Sequence, residues 1–418
     1  MSTRTLAPRL ARPAGLTGCH GHRRQRGAII ITAALALLLL LGFMGIALDF
    51  GRLFIVKTEL QTALDSCALA AARELNGKSD AITRAVSAGS TAANVNGVNL
   101  QSATWNGQGK VTAADITFRN SSYIDTTAPT AAVYAQCTHT QPNIRLWLLQ
   151  AMGAFSGNTV DFPSTRSVRT TAVATRASAQ SACPIPVALQ PKTPGATSPN
   201  YGYTVGDWLT LLSKSNGGST FGWANLDGSN SASETASELN GHCGSKIGDT
   251  LGTPGVQASV VEIWNYRFGI YKNNSDPAVN RPDYTGFIYT SASWSAGRNA
   301  YSGTSGSTPN FLAQRLAFTR CGNNASQCGM QGGGFSKIAT SAQHQAYGAD
   351  RRIVTVPIVN SSRRLIDFAC MLMLQPMTIP VNDVQLEFLG NAGAVGSPCT
   401  TSGLAGGSAG PLVPVLVR

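Results

Sequence analysis

Residues 23–77 read RRQRGAIIITAALALLLLLGFMGIALDFGRLFIVKTELQTALDSCALAAARELNG, and the rest of the chain is organised around them. The run from Gly27 to Leu48 contains no charged residue and no proline. At about 1.5 Å per residue, roughly 22 residues reach about 33 Å, enough for a hydrocarbon core of about 30 Å. Backbone in lipid must satisfy its own hydrogen bonds, so the run predicts a transmembrane helix. Arg4, Arg9, Arg12, Arg23, Arg24 and Arg26 precede it, with no acidic residue before Gly27. Asp49, Arg52, Lys57 and Glu59 follow with mixed sign. The positive-inside rule therefore keeps the N-terminus cytoplasmic, with Arg23, Arg24 and Arg26 as the topology signal, and sends everything after Asp49 across the membrane. A secretory signal peptide is the competing reading, and Gly45-Ile46-Ala47 offers a weak cleavage site. Its apolar region would normally run for only about 7–15 residues, so the length favours an anchor.

The helix is expected to continue beyond the bilayer. Phe50, Leu53, Leu60, Leu64, Cys67, Ala71 and Leu75 recur at three- and four-residue steps, interrupted only by Lys57. Asn76-Gly77 supplies a stop. The apolar stripe needs a cover, either the following segment of this chain or a bundle with other subunits.

The polar order here is specific: Arg26-Gly27-Ala28, Asp49-Phe50-Gly51-Arg52, Leu60-Gln61, Ala63, Asp65, and an Ala68-to-Ala72 block ending in Glu74-Leu75. It resembles the N-terminal segment of TadG-like proteins of the tight-adherence (Flp) pilus assembly system. Phe221-Gly222-Trp223 and Arg267-Phe268-Gly269-Ile270-Tyr271 are similar to pieces of the C-terminal part of such proteins. The resemblance implies a membrane-anchored assembly component, not an enzyme. Its expected partners are the inner membrane and other pilus-assembly or secretion proteins, with homo-oligomerisation through the N-terminal helix as a further expectation. Prepilins are cut after a glycine, with Glu at the fifth mature position. Gly27 would place Thr32 there, which supports permanent anchorage.

The chain has 418 residues, and only 12% of them are charged, about half the usual share. Ala, Ser, Thr, Gly and Asn fill the surface instead, a composition suited to extracytoplasmic β-rich structure. The net charge of +12 is concentrated at the N-terminus and otherwise diffuse, so nucleic-acid binding is not expected. Nine cysteines are present. Cys19 precedes the anchor and is assigned to the reducing side. The other eight follow it, an even number in an oxidising compartment. Cys321 and Cys328 are the best candidate disulfide, and Cys137 with Cys183 is a second candidate pair.

The expected fold is α+β. A basic, disordered tail covers 1–26, the transmembrane helix 27–48, and a pilin-like helix-plus-antiparallel-sheet unit 49–182. A Pro/Gly-rich connector follows over 183–203, then a mainly-β domain over 204–418. Helices are predicted from Ala81 to Ala93 with Ile82, Val86 and Ala93 on one face, and from Asn143 to Phe155 with Asn143 as its cap. Further short helices are placed at 231–239 and 260–266. Strands are predicted at 110–112, 115–118, 132–135, 168–174, 353–359, 365–374 and 383–389. Pro357 places the strand at 353–359 on an edge or at a bulge.

No cofactor, metal or catalytic residue is expected. Asp227, Ser229 and Ser231 match Asp-x-Ser-x-Ser, the metal-binding signature of von Willebrand A domains. A divalent-metal adhesive module is therefore the alternative function. The apolar run before this motif is short, however, and no strand–helix alternation follows. No Cys-x-x-Cys, nucleophile elbow or phosphate loop is present, since Gly332-Gly333-Gly334 lacks the Lys-Ser/Thr of a nucleotide site. Glu234 and Glu238 read as a solvated helix face.

Overall fold

The computed structural model describes residues 26–213, 220–254, 258–272, 274–330 and 333–417. Arg23, Arg24 and Cys19, with the rest of the expected tail up to residue 25, lie outside them, as does Gly332. The fold is α+β: a long apolar N-terminal helix is followed by mainly β structure. The chain divides into two compact units, Met1–Ile55 with Pro142–Ser167, and Val56–Gln141 with Val168–Arg418.

Helix α1 spans Arg26–Glu74, as expected of an apolar, proline-free run that continues as a stripe. In the second unit its residues Val56, Leu60, Ala63, Leu64, Cys67, Ala68, Ala71 and Ala72 are fully buried. Helix α2 (Ala81–Asn94) lies beside this part. It buries Ala81, Ala85, Gly89 and Ala93, not the expected Ile82 and Val86. The reason is steric. A Cβ on Gly89 would sit 3.2 Å from both the Ala71 Cβ and the Cys67 carbonyl, so the two helices meet through their smallest residues.

Strands β1 (Ile116–Arg119), β2 (Tyr134–Arg145), β3 (Thr165–Ser178) and a late strand, Leu412–Leu416, form one sheet in that order. The strand expected at 110–112 is absent. Cys137 on β2 is bonded to Cys67 on α1. The expected partner Cys183 is bonded instead to Cys243, because the bridge between Ala182 and Ser245 brings those chain segments side by side. Cys321–Cys328 and Cys370–Cys399 complete four bonds. The Cys67–Cys137 and Cys183–Cys243 loops span 70 and 60 residues, against 7 for Cys321–Cys328. By chain entropy the longer closures stabilise by about 4 kcal/mol each and the shortest by about 2.

Helix α3 (Trp147–Ser156) lies between β2 and β3, in the first unit. Beyond β3 come β4 (Val187–Leu189), β5 (Trp208–Leu211), β6 (Phe221–Trp223), α4 (Ala232–Gly241), α5 (Val260–Tyr266), β7 (Ile270–Lys272), α6 (Phe311–Leu316), β8 (Phe335–Ile338), α7 (Ser341–Tyr347), β9 (Ile353–Val359), β10 (Leu365–Met373) and β11 (Val384–Asn391). Six of these strands make a second sheet, ordered β5-β11-β10-β9-β4-β6. β9 is an interior strand, so Pro357 is not at an edge; the ladder between β9 and β10 slips nearby, between Leu365 and Asp367. The late strand, β12, pairs antiparallel with β3 from Leu412 opposite Ser178 to Leu416 opposite Ala174. Residues from the expected C-terminal region thus complete the first sheet. As an edge strand, β12 tolerates Pro414.

The second core holds buried charge on backbone partners. Arg352 is fully buried. Its guanidinium donates to the carbonyls of Met373, Thr285 and Phe287 and stacks 4.3 Å from the Phe268 ring centroid. Asp283, also fully buried, accepts the N–H groups of Arg351 and Arg352 at 3.0 Å. Burial depresses Arg352 to about 10 and Arg267 to about 9, and lowers His344. Arg352→Met would strand three buried carbonyls and is expected to cost about 3–5 kcal/mol. Denaturant unfolding of the detergent-solubilised protein measures this; a loss below about 1 kcal/mol would contradict it.

Candidate membrane-boundary site

At the end of the apolar run, Asp49 is 4% exposed. A carboxylate this buried needs donors. It finds them at the start of α3: the N–H groups of Trp147, Leu148 and Leu149 donate to its two oxygens at 3.2, 2.9 and 2.7 Å. These are helix N-terminal amides that have no acceptor inside the helix. The residue at the cap position, Leu146, has no side-chain acceptor to offer. Asp49 supplies the cap from about 100 residues away in sequence, and its charge also complements the positive end of the helix dipole.

Arg52 completes the contact. Its guanidinium donates to the Arg145 carbonyl at 3.3 Å and lies 4.8 Å from the centroid of the Trp147 ring. On the apolar side, Gly45 is buried against α3. A Cβ there would lie 2.8 Å from the Leu148 Cβ, so only glycine allows this approach. Gly45 therefore has a packing role independent of any cleavage site. A groove of about 300 Å³ is lined by Leu38, Leu41, Gly42 and Gly45 of α1 and by Leu148 and Met152 of α3.

The helix expected from Asn143 thus starts four residues later. Asn143 and Arg145 belong to β2, and the cap is Asp49 rather than Asn143. The available signal was a pair of incomplete features, namely an acid at the end of an apolar run and an apolar helix with no capping residue of its own. Arg26 begins α1, Gly27 and Leu48 lie within it, and only one helix among the described residues is long and apolar enough to cross a membrane.

This is the segment the comparisons single out. Residues 27–74 match the family model described as Putative Flp pilus-assembly TadE/G-like. The TadE/G-like segment covers nearly all of α1 and includes Gly45, Asp49 and Arg52. No curated protein and no solved structure matches the chain.

The other candidates have different surroundings. Asp227, Ser229 and Ser231 share the turn ahead of α4. The Asp227 carboxylate accepts the Ser229 N–H, which holds it below the usual carboxylate range. The Ser229 hydroxyl donates to Glu234, and the Ser231 and Ser233 hydroxyls bond each other at 2.9 Å. The strand before them, β6, is a three-residue edge of a mixed sheet, not the central strand of a parallel one. Glu238 is buried, not solvated as expected; it accepts the N–H groups of Leu226 and Asp227, and burial pushes its carboxyl up. Among the described residues, no group of three or more His, Cys, Asp or Glu side chains could hold a metal ion. A cavity of about 350 Å³ beside Cys183–Cys243 is lined by Glu238, His242, Arg267, Asp350 and Arg351. The three cysteines that line it, Cys183, Cys243 and Cys399, are all bonded and offer no thiolate.

Removing the Asp49 carboxylate leaves three helix amides without acceptors. Asp49→Ala is expected to destabilise the α1–α3 contact by about 2–3 kcal/mol, roughly a hundredfold faster hydrogen exchange at residues 147–149. Asp49→Asn, which keeps one acceptor oxygen, should fall between. Exchange in detergent micelles checks both; wild-type protection in Asp49→Ala would contradict the capping role.

Proposed function

We propose that this chain is a membrane-anchored structural component of a Flp pilus assembly apparatus, acting by protein–protein contacts and not by catalysis. In this reading residues 27–48 cross the inner membrane, the arginine-rich end stays in the cytoplasm, and the β-rich remainder works in the periplasm. The observation that carries it is the coincidence, in one helix, of the TadE/G-like match and an uncovered apolar surface. Ile29 to Ile31, Leu35, Leu37 to Leu41, Phe43, Met44 and Leu48 are all more than half exposed. Covering one such side chain is worth about 1.5–3 kcal/mol, so twelve together favour a lipid surface by tens of kcal/mol over water. The arginines before Gly27 support the orientation. The four disulfides support an oxidising compartment for the body.

Alkaline carbonate extraction, combined with protease treatment of spheroplasts, tests the reading. The expected result is a membrane-retained protein whose C-terminal epitope is digested only after the outer membrane is opened. Release into the carbonate supernatant, or an epitope protected in spheroplasts, would refute it.

A further inference from the structure

We propose that α3 is a second membrane-inserted element, a short re-entrant helix that enters the outer leaflet beside α1 and presents its outward face to lipid acyl chains. The proposal rests on the reading of α1 as the transmembrane anchor. Trp147–Ser156 contains no charged residue. Its capped end lies at Asp49, Leu148 packs on Gly45, and Ser156 borders the same groove as Leu38 and Leu41. The helix therefore runs back along the part of α1 assigned to hydrocarbon. Ten residues reach about 15 Å, half of a core of about 30 Å.

Three observations identify lipid as the occupant of the outward face. Trp147 is 64% exposed, and Gln150, Ala151 and Ala154 are exposed three, four and seven residues on, so this face is bare and, Gln150 apart, apolar; Leu148, though it touches Gly45, is still 40% exposed. An isolated helix of this length is marginal in water. The first amides of α3 are fully engaged by Asp49, which is the condition that entry into a medium without hydrogen-bond partners imposes. The third observation is the pair Trp147 and Arg52 at the capped end, an aromatic ring and a long cationic side chain where the bilayer meets water. Continuity with the bare apolar surface of α1 favours the bilayer over a second copy of the chain.

One group opposes insertion. Asp161 is the single charge between residues 146 and 164. Its carboxylate accepts the Asn158 amide at 2.6 Å, and its N–H donates back to the Asn158 side-chain oxygen. Removing that charge should draw the turn deeper, which gives the proposal a test of sign.

The experiment uses the full chain in phosphatidylethanolamine–phosphatidylglycerol vesicles carrying bromine either near the headgroup or deep in the acyl chain. Trp147→Phe provides the background to be subtracted: Trp105, Trp223, Trp264 and Trp294 are buried, and Trp208 on β5 is half-buried. Reporters are Ala154→Trp near the inner end of α3, Gln150→Trp near the capped end as a second position, and Leu35→Trp within α1. Bromolipid should quench most of the emission added at 150 and 154, deep bromine acting more strongly at 154, while aqueous acrylamide acts weakly. Asp161→Asn should increase deep quenching at 154. Acrylamide quenching without bromolipid quenching would place α3 in water, and protection from both quenchers would mean that protein covers it; either overturns the proposal. Leu35→Trp separates the two readings. Quenching at 35 but not at 150 or 154 refutes only the re-entrant helix, whereas no quenching at 35 refutes the anchor and this proposal with it.

Discussion

Buried charge in this protein is neutralised mainly by backbone dipoles. Asp49 takes three N–H groups from the start of α3. Asp283 takes two from Arg351 and Arg352, and Glu387 takes two from Ala300 and Tyr301. Arg352 and Arg267 donate to carbonyls. Opposite charges do meet, as where Arg315 lies 3.4 Å from Asp283, but at most of these buried groups the main chain is the counter-pole. The consequence is geometric. A carboxylate held by three consecutive amides fixes a helix terminus, whereas one held by a flexible lysine fixes only a distance. Each such group therefore ties a loop or helix end to a particular place, and none can be removed without exposing unpaired backbone in a dry interior.

Within the first unit, this arrangement explains why an acid stands at the end of an apolar run. Asp49 is less a boundary marker than the missing first turn of another helix. The neighbouring Gly45 and Arg52 serve the same contact from either side, one by absence of bulk and the other by stacking on Trp147. The TadE/G-like match thus covers the elements that hold α3 as well as the apolar run itself.

What the sequence disclosed followed the range of the forces involved. The long apolar helix was legible because lipid-length apolarity is a local property of residues 27–48. The strands at 353–359, 365–374 and 383–389 were legible for a similar reason, being short apolar runs between turn residues, and they correspond to β9, β10 and β11. Features set by distant partners were not. Asn143 looked like a cap because it is the right residue just before an apolar stretch, yet the acceptor came from Asp49. Cys137 was paired with the wrong neighbour because sequence distance is a poor guide to which thiols a helix and a strand bring together. The buried face of α2 was misjudged because bulk was taken as the mark of a core position, when the close approach of two helices selected Ala and Gly. Pro357 suggested an edge or a bulge; β9 lies inside the sheet, and the ladder slips beside it between Leu365 and Asp367.

The pairing of β12 with β3 has a consequence for biogenesis. Residues 174–178 are made early in a polypeptide synthesised N-terminus first, and the strand that pairs with their outer margin is made more than two hundred residues later. Until those last residues arrive, β3 presents a row of open hydrogen-bonding groups of the kind that invites promiscuous pairing. Completion of the first sheet therefore waits on residues 412–416, and a product cut short between the two strands carries an exposed strand edge.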